Sequence, residues 1–284
     1  MIKRILVALD PDKDTPIATK FAIRLAKRFN ATLTGLAVVD IRNISARIGS
    51  GGWGAGLYTN RIWEELSDES RETASKLLDA FEKSVKNEGV NYTSIKKHGA
   101  SNETIIEETK YHDLLIVGRD SHFFYDEPQK KTDTLAEVVK GGVAPALVVT
   151  DTYSEVERIL IAVDGSAPAA RSFKSFVHLL PYGKDLDIEL VHIREGDSEG
   201  EKNKSDYVLG MAEKYLKDHN FNYVTARSLE PGNPSERLMT RREEFNPDII
   251  VLGAHSVSAI KRITFGSTTH EMITKSPTPL FLSP

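Results

Sequence analysis

The sequence predicts two tandem α/β domains, each a doubly wound, parallel sheet of five strands with helices on both faces. Three observations carry that prediction. The chain repeats itself in order: Lys3–Asp10 returns 154 residues later as Glu157–Asp164, Asp113–Gly118 returns after 135 as Asp248–Gly253, and Pro145–Val149 returns after 134 at Pro279–Leu282. The strand-length apolar runs are continuous, as in strands buried on both faces. Between them lie helical patterns, and such alternation gives parallel sheets with right-handed crossovers.

Each element of the first copy follows from its own residues. Ile2–Leu9 is an unbroken apolar strand, and Asp14–Asn30 is a helix with Ile17, Phe21, Leu25 and Phe29 at four-residue steps, capped by Asp14 or Thr15. Thr32–Asp40 is the second strand, Trp63–Asn87 a long amphipathic helix ended by Gly89, and Val90–His98 the third strand. Ser101–His112 is a helix with Ser101 as its N-cap, Asp113–Gly118 the fourth strand, Lys131–Lys140 a helix and Ala144–Thr150 the fifth strand.

In the second copy, strands are expected near Val156–Val163, Asp187–Ile193, Phe221–Ser228, Asp248–Gly253 and Leu280–Ser283. Helices are expected near Pro168–Leu180, Asn203–His219, Pro234–Phe245 and Ser267–Lys275. The polar stretch Asp151–Glu157 is the natural boundary, giving domains at 1–151 and 155–284. The repeat separation shrinks by 19 residues after the first match, so the first copy holds extra chain. The glycine-rich segment around Gly49–Gly56 places that insertion near 42–60, as a flexible addition more than a phosphate loop, since it has no P-loop lysine.

Composition narrows the function. A net charge of −4 gives no electrostatic case for nucleic acid. The absence of cysteine excludes disulfides and thiolate chemistry and suits a reducing cytoplasm. No run reaches the length of a membrane span, so a soluble, cytoplasmic chain is expected. The eight histidines show no metal-ligand spacing, and there is no Gly-x-Ser-x-Gly elbow, so neither a metal site nor a catalytic residue is assigned. His192, at a strand end, is expected to be a hydrogen-bonded core or cleft residue.

In an open parallel sheet, ligands bind beyond the carboxyl ends of the strands, where the strand order reverses. In the second copy those ends carry Asp164-Gly165-Ser166, His192-Ile193 and Gly253-Ala254-His255-Ser256, followed by Gly266-Ser267-Thr268 at the start of the last helix. A helix N-terminus with glycine and hydroxyls favours an anion, Lys261 and Arg262 add positive charge, and a strand-end acid suits a ribose.

The tandem layout, the opening ILIAVDGS, the strand end VHI and the segment GAHSVSAIKRITFGSTT together resemble the universal stress protein family over nearly the whole chain. The resemblance implies the adenine nucleotide alpha hydrolase-like fold. ATP-binding members carry Gly-x2-Gly-x9-Gly-(Ser/Thr), and this chain reads Gly253-x2-Ser256-x9-Gly266-Ser267, with serine for the second glycine. The likeness implies Asp164 on the ribose, the Ile193 backbone at the adenine, and Gly253, Ser256, Gly266, Ser267 and Thr268 around the phosphates of ATP (or ADP or AMP) with Mg²⁺. Serine at 256 is less tolerant of positive φ than glycine, yet small and polar, so binding is expected to be retained.

In the first copy Asp10, Val38 and Gly118 keep the pattern, but Ser121, Lys131-Thr132-Asp133 and the bulky, acidic His122–Lys130 depart from it. One nucleotide site, in the second half, is therefore expected. The resemblance also implies a stress-response sensor or regulator, packed as a pseudo-dimer through its final strands. A homodimer of the tandem chain and a protein partner of unknown identity are expected, with at most weak ATPase activity. The rival readings are a slow ATP hydrolase on the same fold and an interaction module that binds no nucleotide.

Overall fold

The computed structural model describes residues 1–40, 44–45, 56–125, 134–179, 181–254 and 267–284, without the side chains of 56–60. The insertion near 42–60 therefore lies largely outside the described residues, as do Lys131-Thr132-Asp133.

The first half holds strands β1 (Arg4–Ala8), β2 (Thr32–Val39), β3 (Tyr92–His98), β4 (Leu114–Gly118) and β5 (Ala146–Val149). The second holds β6 (Arg158–Ala162), β7 (Asp187–Ile193), β8 (Tyr223–Leu229), β9 (Ile249–Gly253) and β10 (Leu280–Ser283). The described helices are α1 (Thr15–Phe29), α2 (Gly56–Asn87), α3 (Ser101–Thr109) and α4 (Thr134–Gly141), then α5 (Ala167–Leu179), α6 (Glu199–Asp218), α7 (Pro234–Phe245) and α8 (Ser267–Lys275). Each expected strand and helix is present. The largest difference at an end is α2, which begins at Gly56 and not at Trp63.

Two expected caps are corrected. The side chains of Asp14 and Thr15 do not cap α1; the Asp12 carboxylate accepts the Asp14 and Thr15 N–H groups, at 2.8 and 3.0 Å. Ser101 is the first helical residue of α3, not its N-cap, and its N–H donates to Asp40 Oδ2 at 3.0 Å. In both places a carboxylate earlier in the chain supplies what the side chains at the helix start were expected to supply.

Within each half all strand pairs are parallel, and the first strand lies between the second and the fourth. The halves meet through antiparallel pairing of β5 with β10, Leu280 facing Val148 and Leu282 facing Ala146. The result is one ten-stranded sheet ordered β3-β2-β1-β4-β5-β10-β9-β6-β7-β8.

Strand residues alternate between two cores. Ile5, Val7, Ile159 and Ile161 pack with Phe21, Phe81, Phe176 and Leu216 of α1, α2, α5 and α6. Leu6, Ala8, Leu160 and Leu252 pack with Ile105, Val138, Leu238 and Met272 of α3, α4, α7 and α8. Burial on both faces explains why the inner strands read as apolar runs; the edge strands β3 and β8 are half-buried or exposed and carry polar residues such as Lys96, Lys97 and Arg227. No helix among the described residues is long and apolar enough to cross a membrane.

Candidate functional site

In the second half the chain runs outward through β6, β7 and β8, then returns to the other side of β6 as β9. The strand order reverses between β6 and β9, which leaves a crevice at their carboxyl ends. A cavity of about 310 Å³ occupies this place. Asp164, Ile193, Gly253, Ser267 and Thr268 all line it. Ser256 and Gly266 lie outside the described residues, as do His255, Lys261 and Arg262.

Local chemistry sets each of these residues. Asp164 is exposed, and its Oδ1 accepts the Ser166 N–H at 2.8 Å, across Gly165 at φ +79°. Glycine adopts that left-handed turn without strain. Thr269 Oγ1 donates to the Gly253 carbonyl at 2.7 Å and fixes the first turn of α8 against the end of β9. That turn has backbone N–H groups without intrahelical partners, so the cavity gains a partly positive end.

Gly253 has a packing reason as well. A Cβ on it would stand 2.8 Å from Ala169 N and 3.1 Å from Pro168 C, so a side chain would collide with the backbone opening α5. The apolar wall, formed by Val163, Val191, Leu238 and Leu252, was not singled out by sequence reasoning. Its signal was present, since these are alternate residues at the ends of the recognised strands and one position of α7.

His192 is buried, as expected, with Nδ1 3.0 Å from Ser205 Oγ, which in turn donates to Ser228 Oγ at 2.8 Å. Burial first, then the Lys204 charge, holds the imidazole pKa below its ordinary value.

The first half is built differently at the same place. The Leu9 N–H donates to the Leu36 carbonyl and the Val163 N–H to the Val191 carbonyl, both at 2.9 Å, so the two halves share a register at these strand ends. In the first half the Tyr125 hydroxyl enters the gap just beyond. It donates to the Leu9 carbonyl at 2.7 Å and accepts the Val38 N–H at 3.1 Å. Asp10 is buried at the end of a groove that also touches Asp12, and its carboxylate accepts the N–H groups of His122 and Phe123 at 2.8 and 2.9 Å.

Burial, then the charge of Asp12, pushes the Asp10 carboxyl up to about 8, against the pull of those two N–H groups. Its folded pKa lies above its unfolded value of 3.8, so the stability it contributes is full below that value and is lost as pH rises through about 8. Melting temperature is expected to fall with rising pH across this window. Asp10→Asn, which cannot ionise, is expected to flatten the slope; an equal slope in variant and parent would rule out Asp10 as its source.

Larger grooves, of about 600 and 730 Å³, lie beside α1. They are lined by the flank of α1 and the 153–157 connection, with charged side chains of both signs such as Arg24, Lys27 and Glu155; the first also reaches Asp10 and Asp12, and neither lies at the β6/β9 crevice.

Comparison with known proteins accords with this architecture. The sequence profile of the universal stress protein family matches residues 1–148 and again residues 155–284. A universal stress protein of Synechocystis sp. is 22% identical over 295 residues, spanning 98% of this chain and 99% of the relative. Among solved structures, a universal stress protein from Archaeoglobus fulgidus superposes with a TM-score of 0.67 at 19% identity, over 99% of this chain and 95% of its own. A candidate member from Pseudomonas aeruginosa gives 0.63 at 14% identity, over 99% and 93%. With the profile matched twice, over nearly the whole length, the chain belongs to the universal stress protein family.

Proposed function

We propose that this universal stress protein binds one adenine nucleotide, in the cavity of its second half, and acts as a nucleotide-dependent regulator of stress adaptation in the cytoplasm. The observation that carries this reading is the convergence of Asp164, Ile193, Gly253, Ser267 and Thr268 on one cavity at the reversal of strand order. The apolar wall suits an adenine ring. The Asp164 carboxylate suits ribose hydroxyls, and the first turn of α8 suits phosphate oxygens.

Mg²⁺ fits as a companion of the phosphates. It keeps most of its water and takes one or two protein oxygens, for which the Ser267 and Thr268 hydroxyls are the described candidates. When bound it would offset phosphate charge. Asp164 and Glu195 are the carboxylates of the described lining. A tandem chain already contains two family domains, and further pairing of whole chains, or docking of a protein partner, would be the route by which the bound state is read.

The test begins with protein purified without added nucleotide and heat-denatured, the supernatant then being assayed for ATP, ADP and AMP. About one adenine nucleotide per chain is expected. Asp164→Ala is expected to weaken binding by roughly 10- to 100-fold, the value of one or two kcal/mol-scale bonds to a charged acceptor. Its melting temperature without ligand should stay near that of the parent, because among the described residues the exposed carboxylate accepts one hydrogen bond, from the Ser166 N–H. No retained nucleotide, and no thermal shift with millimolar ATP and Mg²⁺, would overturn the reading and favour an interaction module. Retained ADP without ATP would direct attention to slow hydrolysis.

A further inference from the structure

We infer that the second half carries a separate site for a small aromatic acid, in the groove between α5 and α6. The groove has a volume of about 390 Å³. Val163, Ala169 and Phe173 line it from the end of β6 and from α5, and Val208, Met211 and Tyr215 line it from α6. It is distinct from the strand-end cavity. Val163 and Ala169 border both, but Leu238, Leu252 and the start of α8 line only the cavity, and α6 lines only the groove. The inference therefore does not rest on the nucleotide reading.

The internal repeat supplies a comparison. The separation of 154 residues between the first strands carries on into the helices that follow them. Thr15, Pro16, Thr19 and Lys20 of α1 match Ala169, Ala170, Phe173 and Lys174 of α5, buried where the partner is buried and exposed where it is exposed. In the first half these positions line the groove of about 600 Å³ beside α1, together with Asp12, where the second half has Ser166. The first groove thus presents a carboxylate and two threonine hydroxyls. Its counterpart has a serine for the acid, and a methyl group and a phenyl ring for the threonines. Lys20 is already engaged, its Nζ standing 4.0 Å from the centre of the Tyr153 ring. Lys174 is exposed, and no described acid pairs with it.

The lining decides the class of ligand. Lys174 is the one charged residue among those described in it, so the groove favours a single negative charge at its rim. The walls call for an apolar body, and the Phe173 and Tyr215 rings, 5.3 Å apart between centroids, leave a third ring edges and faces to pack on. The volume is that of a small-molecule site, for which roughly 300–1,000 Å³ is usual. A protein partner is a poorer match. Tyr207 and Met211, one turn apart on α6, are 69% and 53% exposed, but the helix surface beyond them is charged at Lys202, Asp206, Lys214 and Asp218. A stable protein interface needs about 800 Å² from each side, more than this confined apolar strip provides.

The experiment is calorimetric titration of the full chain with phenylpropionate, and with uncharged phenylpropanol as the control. Saturable binding of phenylpropionate is expected in wild type and is expected to be lost in Ala170→Trp, whose indole fills the groove from an exposed position. Lys174→Ala is expected to weaken the acid by roughly 3- to 10-fold, the value of an ion pair at a partly exposed site, and to leave the alcohol unchanged. No saturable binding by wild type at millimolar acid would overturn the inference. So would equal affinity of wild type and Lys174→Ala for the acid. A titration unchanged in Ala170→Trp would overturn it too, by placing the acid in another cavity. Sedimentation of wild type and Met211→Lys addresses a second copy as occupant: a dimer dissolved by that substitution and indifferent to the acid would give the groove to the dimer and overturn the inference. None of these measurements uses ATP, so this site and the nucleotide cavity stand or fall separately.

Discussion

Gly253→Val is expected to abolish retention of adenine nucleotide and to lower stability by about 1–3 kcal/mol, the usual cost of forcing volume into a packed site. The atoms that a Cβ would strike, Ala169 N and Cα and Pro168 C, are all backbone at the opening of α5, so no flexible side chain can yield. The helix must move instead, and Ala169 is itself part of the cavity wall. Asp164→Ala is the counterpart: it removes a recognition group while leaving packing alone. A denaturant melt and a nucleotide assay on both variants separate the two effects. Full nucleotide retention by Gly253→Val would show that the cavity at the end of β9 is not the binding site.

Phe281→Ala is expected to cost about 3–5 kcal/mol, as for other fully buried aromatic truncations. Phe281 lies on β10, 1% exposed, with its ring edge-on to Phe176 at 5.4 Å between centroids. It also faces Leu147 across the antiparallel pair that joins the two halves. The strands of this seam are only four residues long, and beside them Arg119 and Thr150 donate to the Ser276 and Pro277 carbonyls at 3.1 and 3.2 Å. The loss would appear as a lower denaturant midpoint with an unchanged slope. A loss under about 1 kcal/mol would mean that the seam relaxes around the cavity, contrary to its close packing.

The fold was legible because the chain states it twice. Buried parallel strands have no polar alternation to confuse them with surface strands, and Asp187–Ile193, Pro234–Phe245, Ser267–Lys275 and Leu280–Ser283 run between the residues the pattern gives. The cap of α3 was not legible because Asp40 lies 61 residues before Ser101; at α1 three neighbouring side chains could serve, and Asp12, two and three residues before the N–H groups it accepts, does so. The lining of the second cavity was partly legible, as Asp164, Ile193 and Gly253 are strand-end residues whose position follows from topology.

The place of Tyr125 between the ends of β1 and β2 was not legible. The run His122–Tyr125 reads as bulky loop, and nothing in its spacing says that Phe123 turns to one face of the sheet and Tyr125 to the other. That outcome depends on a positive φ at Phe123 and on three aspartates more than a hundred residues earlier in the chain.

The antiparallel seam has a further effect. Strands of the first half run opposite to those of the second where β5 meets β10, so the carboxyl ends of β1, β2 and β4 point to one end of the sheet and those of β6, β7 and β9 to the other. The molecule therefore has a head and a tail. The head bears a cavity with an exposed carboxylate and hydroxyls in its lining; at the tail, among the described residues, the Tyr125 hydroxyl fills the gap between β1 and β2 beside Asp10. Two identical single-domain subunits joined by such a seam would present two like ends. One polypeptide made of two unlike copies has two unlike ends in fixed proportion, and gives any docking protein a way to tell them apart.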